Sequence, residues 1–425
     1  MKVLLVNKFL FPKGGAERAV FDMAEILRSS GHEVAFLSTA HPENIQGDFV
    51  SEFVRGANYH AKHSLIESFR LAIRVLWNRE AEKKMEMLLD RFRPDIVHFH
   101  SIYRELSPSI LRPVKKRGIP SVMTLHDYAL LSPSRILYSR KRGIWKSSTP
   151  SFSEVFRFPF VQGSCLKSFV ALLENKLHRL IGAYRNVSLF IAPSIFLKRV
   201  FERENFFGNI VHISNPLLGL ESRIERAHAE RKNPKPSAPF VFVGRLDEEK
   251  GIGILLEAFA RYSGPSPLFI LGSGSEQTSL QAQADALGLI ETKKVIFRGA
   301  TSPEERDETL LSSKAIIVPS IWYENQPYVI MEALSFGVPV LVSDVGALPD
   351  MIDQGENGFL YHGENAGSLT SILEALDRRT ESEWSHMKDE AFRRARLYDS
   401  DTFLSRLLEI YESLIAKNSS RLINP

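Results

Sequence analysis

The chain has 425 residues, 44% apolar and 24% charged, a globular composition that leaves room for two or three domains and excludes an intrinsically disordered protein. No run approaches the roughly 18 consecutive apolar residues of a spanning helix, and the opening MKVLLVNKFL reads straight into a strand with no cleavable signal pattern, so a soluble cytoplasmic protein is expected. The net charge of +4 hides a polarised chain: residues 101–200 carry 17 Lys and Arg against 4 Asp and Glu, residues 301–400 carry 8 against 18, and the single Cys165 excludes an internal disulfide or a thiolate metal cluster.

In chain order, short apolar β-branched runs alternate with helix-period segments: KVLLVN, a helix from Ala16 to Ser29, EVAFLST, DIVHFH, SVMTLH, LFIAPS and NIVHIS. That rhythm predicts βαβ units and a parallel sheet. It breaks after Asn215-Pro216 at the polar stretch SRIERAHAERKNPKPSAP, which reads as a linker. It restarts with FVFVG, a helix from about Gly251, PLFILG, a helix ending near Gly288, KVIFRG, a helix after Thr301, AIIVPS, a helix ending at Gly337, and VPVLVSD. The expected architecture is α/β, with two doubly wound Rossmann-like domains facing a central cleft: residues 1–216, a linker at 217–237, residues 238–398, and a C-terminal helix within 399–425 packing back towards the first domain. Ligands of such sheets bind at the carboxyl ends of the strands.

The sharpest cluster is IIVPSIWYENQPYVIMEALSFGVPVLVSD, residues 316–344. Pro327 suits the first position of a helix that Gly337 and Pro339 end. The N–H groups around residues 326–328, at the positive end of that helix, suit a phosphate or diphosphate. At 1.5 Å per residue Glu332 falls roughly 7 to 8 Å along the axis, about a ribose away, where a carboxylate would accept from vicinal hydroxyls. Glu324, at the mouth, is placed for hydroxyls of whatever the diphosphate carries. The competing reading of Glu332 is a solvent-facing helical residue.

The loop GRLDEEKG puts Arg245 and Lys250 after strand FVFVG, and two cations plus a helix end could stabilise a departing nucleoside diphosphate without a metal. The same two residues could instead pair with Asp247, Glu248 and Glu249 on a solvated loop. In the first half, Gly14-Gly15 stands where a helix begins and allows close backbone approach to a ligand, or an ordinary turn. Neither this pair nor GSGSEQ at 272–277 completes a dinucleotide fingerprint. His126-Asp127 ends a strand, although a lone histidine is more often structural. His98 and His100 share one face of their strand and read as packing or loop-shaping residues, and Asp399-Ser400-Asp401 reads as a cap of the last helix, by Ser400 or Asp401, rather than a metal site.

Taken in order, GGAE, HD at a strand end, GRLDEEKG, LGSGSE, VIFRG, and Glu324 and Glu332 in E-x7-E followed by GVPV resemble the retaining glycosyltransferases of family 4, which have the GT-B fold. The resemblance covers nearly the whole chain. It implies a C-terminal domain for the nucleotide sugar, an N-terminal domain for the acceptor, and cleft closure for transfer. By position, Arg245 and Lys250 are similar to the diphosphate cations, Glu332 to the ribose ligand, and Glu324 to the carboxylate that holds the donor sugar, helped by backbone N–H groups among Asn325, Gln326, Pro327 and Tyr328. His126 resembles the residue near the transferred sugar's hydroxyls, and Gly15 the loop facing the phosphate. The resemblance implies no cofactor and no metal, a UDP-sugar or GDP-sugar donor, and a glycan or lipid-linked acceptor in cell-surface polysaccharide synthesis. A GT-B-like sugar-nucleotide epimerase or phosphorylase would also need such a cleft.

The basic excess of residues 101–200 includes RILYSRKRGIWK with Tyr138 and Trp145, and the amphipathic run from Leu166 to Tyr184. It suits peripheral contact with an anionic membrane on its inner face, or a phosphate-bearing lipid or polysaccharide. A solvated basic face is the plain alternative. Nucleic acid is not expected as a partner, because no nucleic-acid motif accompanies the charge.

Overall fold

The computed structural model describes residues 1–45, 52–56, 64–139, 143–144, 152–161 and 164–423. Trp145 and most of its basic neighbours lie outside the described residues. The chain divides into two units, Met1–Lys141 with Trp145–Pro216 and Ser400–Pro425, and Leu217–Asp399 with Arg142–Ile144.

The first unit runs β1 (Lys2–Val6), α1 (Gly15–Ser29), β2 (Glu33–Leu37), α2 (Leu65–Leu76), α3 (Arg79–Phe92), β3 (Ile96–Phe99), α4 (Leu111–Lys116), β4 (Ser121–Thr124), α5 (Phe152–Arg157), α6 (Cys165–Leu180), β5 (Leu189–Ala192), α7 (Ile195–Arg203) and β6 (Ile210–His212). Its strands form one parallel sheet in the order β2-β1-β3-β4-β5-β6. The order reverses between β1 and β3, which makes their carboxyl ends the switch point where ligands of this topology bind. Strands β3 and β4 are buried along their whole length, as strands covered on both faces must be. The C-terminal helix, Ser400–Ile423, belongs to this unit: Phe403, Leu407 and Tyr411 share a core with Val3, Leu5, Val20, Ile96 and Val122. That helix begins at Ser400, so Asp399 stands just before it, and the two expected caps, Ser400 and Asp401, lie inside its first turn instead.

The second unit runs α8 (Leu220–Glu230), β7 (Phe240–Val243), α9 (Ile252–Arg261), β8 (Leu268–Leu271), α10 (Gln277–Ala286), β9 (Val295–Gly299), α11 (Pro303–Ser312), β10 (Ala315–Val318), α12 (Tyr328–Ser335), β11 (Val340–Ser343), β12 (Gly358–Tyr361), α13 (Ala366–Asp377) and α14 (Glu381–Ala395). Its parallel sheet has the order β9-β8-β7-β10-β11-β12, with the switch point between β7 and β10. Phe240, Phe259, Tyr262, Leu268, Leu341 and Leu373 lie in its core.

The stretch 217–237 departs from the expected linker, because it contains α8 and belongs to the second unit. Leu220, Ile224 and Ala227 fall at i, i+4 and i+7 and are buried, an apolar stripe masked by the charges between them. Arg231, buried just after the helix, donates to Gly337 O at 3.1 Å, Leu311 O at 2.8 Å and Ser313 O at 3.1 Å. It thereby satisfies carbonyls at the ends of α11 and α12. Burial draws its pKa down to about 10.

Candidate active site

The loops that leave β7 and β10 meet at the switch point of the second unit. Their approach rests on glycine. Gly251 has φ +68°, and a Cβ there would lie 1.9 Å from the Pro319 carbonyl oxygen, so only glycine lets the two loops touch. Ile321 N donates to Glu249 O at 2.9 Å across the same junction. On its other side the loop after β7 lies against GSGSE: Leu246 N donates to Ser273 O and Glu276 N to Leu246 O, at 2.9 and 2.8 Å.

This junction brings Lys250 Nζ to 2.5 Å from Glu324 Oε1, with both side chains largely buried. Ser320 Oγ and Trp322 Nε1 donate to the same oxygen at 2.8 and 3.0 Å. The Lys250 ammonium also lies 5.4 Å from the centre of the Trp322 ring. Behind Glu324, Ala347 N donates to its carbonyl at 2.9 Å. The carboxylate is therefore fixed by three donors on one oxygen, and Oε2 is left without a partner among the described residues.

Arg245 follows the pairing that its own loop allows. Its guanidinium hydrogen-bonds Asp247 and, at 3.3 Å, Glu249, and its side chain is 64% exposed. Among the described residues no hydrogen bond or ion pair joins it to Lys250 or Glu324. Asp247 in turn accepts from the N–H and hydroxyl of Ser275 at 3.2 and 2.9 Å. Burial works to raise the Asp247 pKa, but Ser275 and Arg245 outweigh it and hold the carboxyl below its usual value.

Helix α12 begins at Tyr328 with Pro327 as its N-cap, one residue earlier than expected for the proline, a shift within the ordinary blur of helix ends. Asn325 and Tyr328 are buried, and Gln326 is half-buried. Glu332 does not face solvent. It is 2% exposed, and Arg306 from α11 reaches its Oε1 at 3.0 Å while also holding Asp307 at 3.1 Å. Sequence reasoning missed Arg306, a lone cation in the acidic helix EERDE. It also missed Ser320 and Trp322, which stand in the very segment that drew attention.

In the first unit Gly15 opens α1 after β1 and His126 follows β4, both on the carboxyl side of their sheet. His126 Nε2 lies 2.9 Å from His100 Nδ1. His100 stacks on His98 at 4.6 Å, and His98 is fixed by Tyr411 Oη at 2.6 Å and Thr124 Oγ1 at 2.7 Å. The two histidines, expected to share a face as packing or loop-shaping residues, do share it, and there they form a buried network leading to His126. Burial, with Lys8 as a further cause, draws the His126 pKa down to about 4, so the ring is neutral. Beside it the loop 127–135 folds on itself and presents Arg135, with φ +65°, to a pocket lined also by Tyr103, Arg104, Glu174, Asn175 and Tyr184. Burial raises the Glu174 pKa to about 7 against the pull of Arg104 and Arg135.

Two six-stranded doubly wound units, with an ion pair set into the switch point of the second, define a GT-B-type architecture. Comparison with known proteins agrees. A model of glycosyl transferases group 1 matches residues 223–390, and a model of glycosyltransferase family 4 matches residues 13–217. The chain belongs to the GT-B glycosyltransferases of family 4. The phosphatidyl-myo-inositol mannosyltransferase of Mycobacterium leprae is 24% identical over 427 residues, 99% of this chain and 98% of the relative. The lipopolysaccharide 1,6-galactosyltransferase of Salmonella typhimurium is 30% identical over 163 residues, 38% of this chain and 44% of the relative. Among solved structures, sucrose-phosphate synthase from Thermosynechococcus elongatus has a TM-score of 0.68 at 17% identity, covering 98% of this chain and all of that one. Anabaena HepE in complex with UDP has a TM-score of 0.65 at 20% identity, covering 97% of this chain and 100% of that one.

Proposed function

We propose that this glycosyltransferase is a retaining, metal-independent enzyme that moves a hexosyl group from a UDP- or GDP-sugar to a glycan or lipid-linked acceptor in cell-surface polysaccharide or glycolipid synthesis. The observation that carries the reading is the Lys250–Glu324 pair at the switch point of the second unit. Lys250, with Arg245 and the N-terminus of α12 at Asn325, Gln326, Pro327 and Tyr328, meets the diphosphate. Glu332 accepts from the ribose hydroxyls, and the unpartnered Oε2 of Glu324 accepts from hydroxyls of the donor sugar. His126 serves the transferred sugar, and the backbone at Gly15 serves the phosphate.

The bond from C1 to the leaving phosphate oxygen breaks as the acceptor oxygen bonds to C1 on the same face. The leaving oxygen takes the acceptor proton, so the products are a glycoside and a nucleoside diphosphate. Charge developing on the diphosphate is met by cations already in place, the electrostatic contribution that usually dominates such catalysis. That Lys250 is already paired does not prevent this, because an incoming diphosphate brings about two further negative charges to the same ammonium.

For the acceptor, the reading uses the first unit, whose pocket beside Asp127 carries arginines, a carboxyl and tyrosine rings suited to hydroxylated ligands. A peripheral contact with an anionic bilayer through residues 101–200 accompanies it. Leu166, Leu173 and Leu180 recur every seven residues along α6 and are exposed, next to the exposed Lys167 and Arg179. Among the described residues no helix is long and apolar enough to cross a membrane.

The test is a panel of UDP- and GDP-sugars screened by thermal shift, followed by turnover with and without EDTA and NMR of the product's anomeric centre. Stabilisation by one nucleotide sugar, EDTA-insensitive turnover and retained configuration are expected. An inverted product or loss of activity in EDTA overturns the corresponding part. Nucleoside diphosphate released only with acceptor separates a transferase from an epimerase or a phosphorylase.

A further inference from the structure

The buried histidines of the first unit fix more than packing. Strands β3 and β4 are neighbours in register His98↔Val122, so by the same alternation His98 on β3, His100 one residue beyond its end and Thr124 at the end of β4 fall on one face, and His126 lies two residues beyond Thr124. His98 can be satisfied in either tautomer, because both its partners, Tyr411 Oη and Thr124 Oγ1, are hydroxyls that donate or accept. His100 has no such freedom. Its Nδ1 faces His126 Nε2 at 2.9 Å, and its Nε2 is buried with no hydrogen-bond partner among the described residues.

Two neutral imidazoles that meet nitrogen to nitrogen share one proton. If His126 Nε2–H donates, His100 Nδ1 is the acceptor and the His100 proton must sit on Nε2, a buried N–H with nothing to receive it. If His100 Nδ1–H donates, the unpartnered Nε2 is a bare lone pair. Buried N–H groups without an acceptor are rarer in proteins than acceptors left short of a donor. The second arrangement is the cheaper one. Burial keeps both rings neutral, so a doubly protonated ring does not enter.

We infer that His100 is a positioning residue that donates from Nδ1 to His126 Nε2 and so holds His126 as the Nδ1–H tautomer, presenting an N–H donor, not a lone pair, on the side away from His100. A neutral donor suits an oxygen acceptor such as a sugar hydroxyl, and it carries no charge to repel a neighbouring Lys8. The inference rests on the reading that His126 serves the transferred sugar, but the tautomer can be measured without any substrate.

Full-length protein labelled with ¹⁵N-histidine gives the tautomer directly from two-bond ¹⁵N–¹H correlation spectra, with the His126 signals assigned from a His126→Gln variant. Wild type should show His126 protonated on Nδ1. His100→Leu, which removes the donor, should move His126 wholly or partly to the Nε2–H form. It should also lower kcat for acceptor-dependent nucleoside diphosphate release from the UDP- or GDP-hexose that supports turnover about five- to tenfold, the scale of one neutral hydrogen bond, with KM little changed. His100→Asn, whose amide N–H can stand near the position of Nδ1–H, should restore the tautomer and most of the rate. His126 protonated on Nε2 in the wild type, or an unchanged tautomer in His100→Leu, overturns the inference. A shifted tautomer with unchanged turnover removes its part in transfer while leaving the Lys250–Glu324 reading intact. Should His100→Leu not fold, the wild-type and His100→Asn spectra still decide the tautomer.

Discussion

Lys250 Nζ lies 2.5 Å from Glu324 Oε1, joining the loop after β7 to the loop after β10 at the switch point of the second unit. The pair is both structural and, on the proposed function, catalytic, and the two contributions separate by mutation. Lys250→Ala removes the cation for the diphosphate and should cut kcat by about 10²–10³-fold, the effect typical of losing one preorganised electrostatic group. It also leaves a buried carboxylate without its cation, which costs about 3–5 kcal/mol. Combining it with Glu324→Gln should recover part of that stability, read from urea denaturation, and none of the activity.

Glu332 is held by Arg306, so its carboxylate is fixed before any nucleotide arrives. Glu332→Ala should weaken UDP or GDP binding by about ten- to a hundredfold, the loss of two hydroxyl hydrogen bonds to a charged acceptor, measured by calorimetry. Arg306→Lys should weaken it less, because an ammonium can reach the carboxylate but cannot hold Glu332 and Asp307 with one planar fork. Wild-type affinity in Glu332→Ala would falsify its assignment to the ribose.

The contrast between these two glutamates shows what could be read from the residues alone. The βαβ rhythm and the E-x7-E spacing are local, so the two sheets and the positions of Glu324 and Glu332 were legible. Their partners were not, because Lys250 and Arg306 come from other elements and meet them only once the sheet orders the loops. Arg245 took the plainer of its two readings, pairing with acids of its own loop, since those lie within reach whatever the rest of the chain does. Helix α8 was missed because its apolar positions are the small stripe Leu220, Ile224 and Ala227 inside a highly charged run. His98 and His100 were correctly placed on one face by the period of a strand, but nothing in the spacing could show that His126 closes the network.

Gly251 gives a test of the loop junction that avoids the reacting groups. A Cβ would meet Pro319 O at 1.9 Å in a left-handed backbone, so Gly251→Ala combines a backbone clash with conformational strain and should cost about 2–4 kcal/mol. Gly288 has the same φ of +68° but nothing within 4 Å of its Cβ position. Gly288→Ala should therefore cost only the strain, about 1–2 kcal/mol. Equal midpoints for the two variants in urea would show that the loops after β7 and β10 yield freely.

The buried histidines set a pH dependence with a definite sign. Burial is the first cause in each: it lowers His98 to about 3 and His126 to about 4, and puts His100 well below the usual range. In the unfolded chain they titrate near 6.5, so between about pH 6.5 and 4 the unfolded state binds more protons and stability falls as pH falls. Each unit of pKa difference is worth about 1.4 kcal/mol. Glu174, raised to about 7 by burial, acts in the opposite direction, since its folded state binds the extra proton between about 4.5 and 7. The wild-type profile is therefore a sum, and the difference between wild type and His126→Gln isolates the histidine: the variant should lose less melting temperature from pH 6.5 to 4. Parallel curves would count against a buried, neutral His126.

The face of α6 supplies the last test. Leu180 is 85% exposed and Leu166 71%, an unusual cost for a helix that also buries Leu172 and Ala171 on its other side. Entering a bilayer interface returns about 1.5–3 kcal/mol per leucine, and each neighbouring Lys or Arg near an anionic leaflet adds about 1 kcal/mol. Wild-type protein should therefore sediment with vesicles rich in phosphatidylglycerol and much less with phosphatidylcholine alone. Replacing Leu166 and Leu180 with Asp together should weaken the anionic binding about a hundredfold or more, because each change removes apolar burial and adds a repelled charge. Because both side chains point away from the core, melting temperature should stay near the wild-type value. Equal sedimentation of wild type and variant would assign the stripe to something other than the membrane and return the basic excess of residues 101–200 to an acceptor or to solvent.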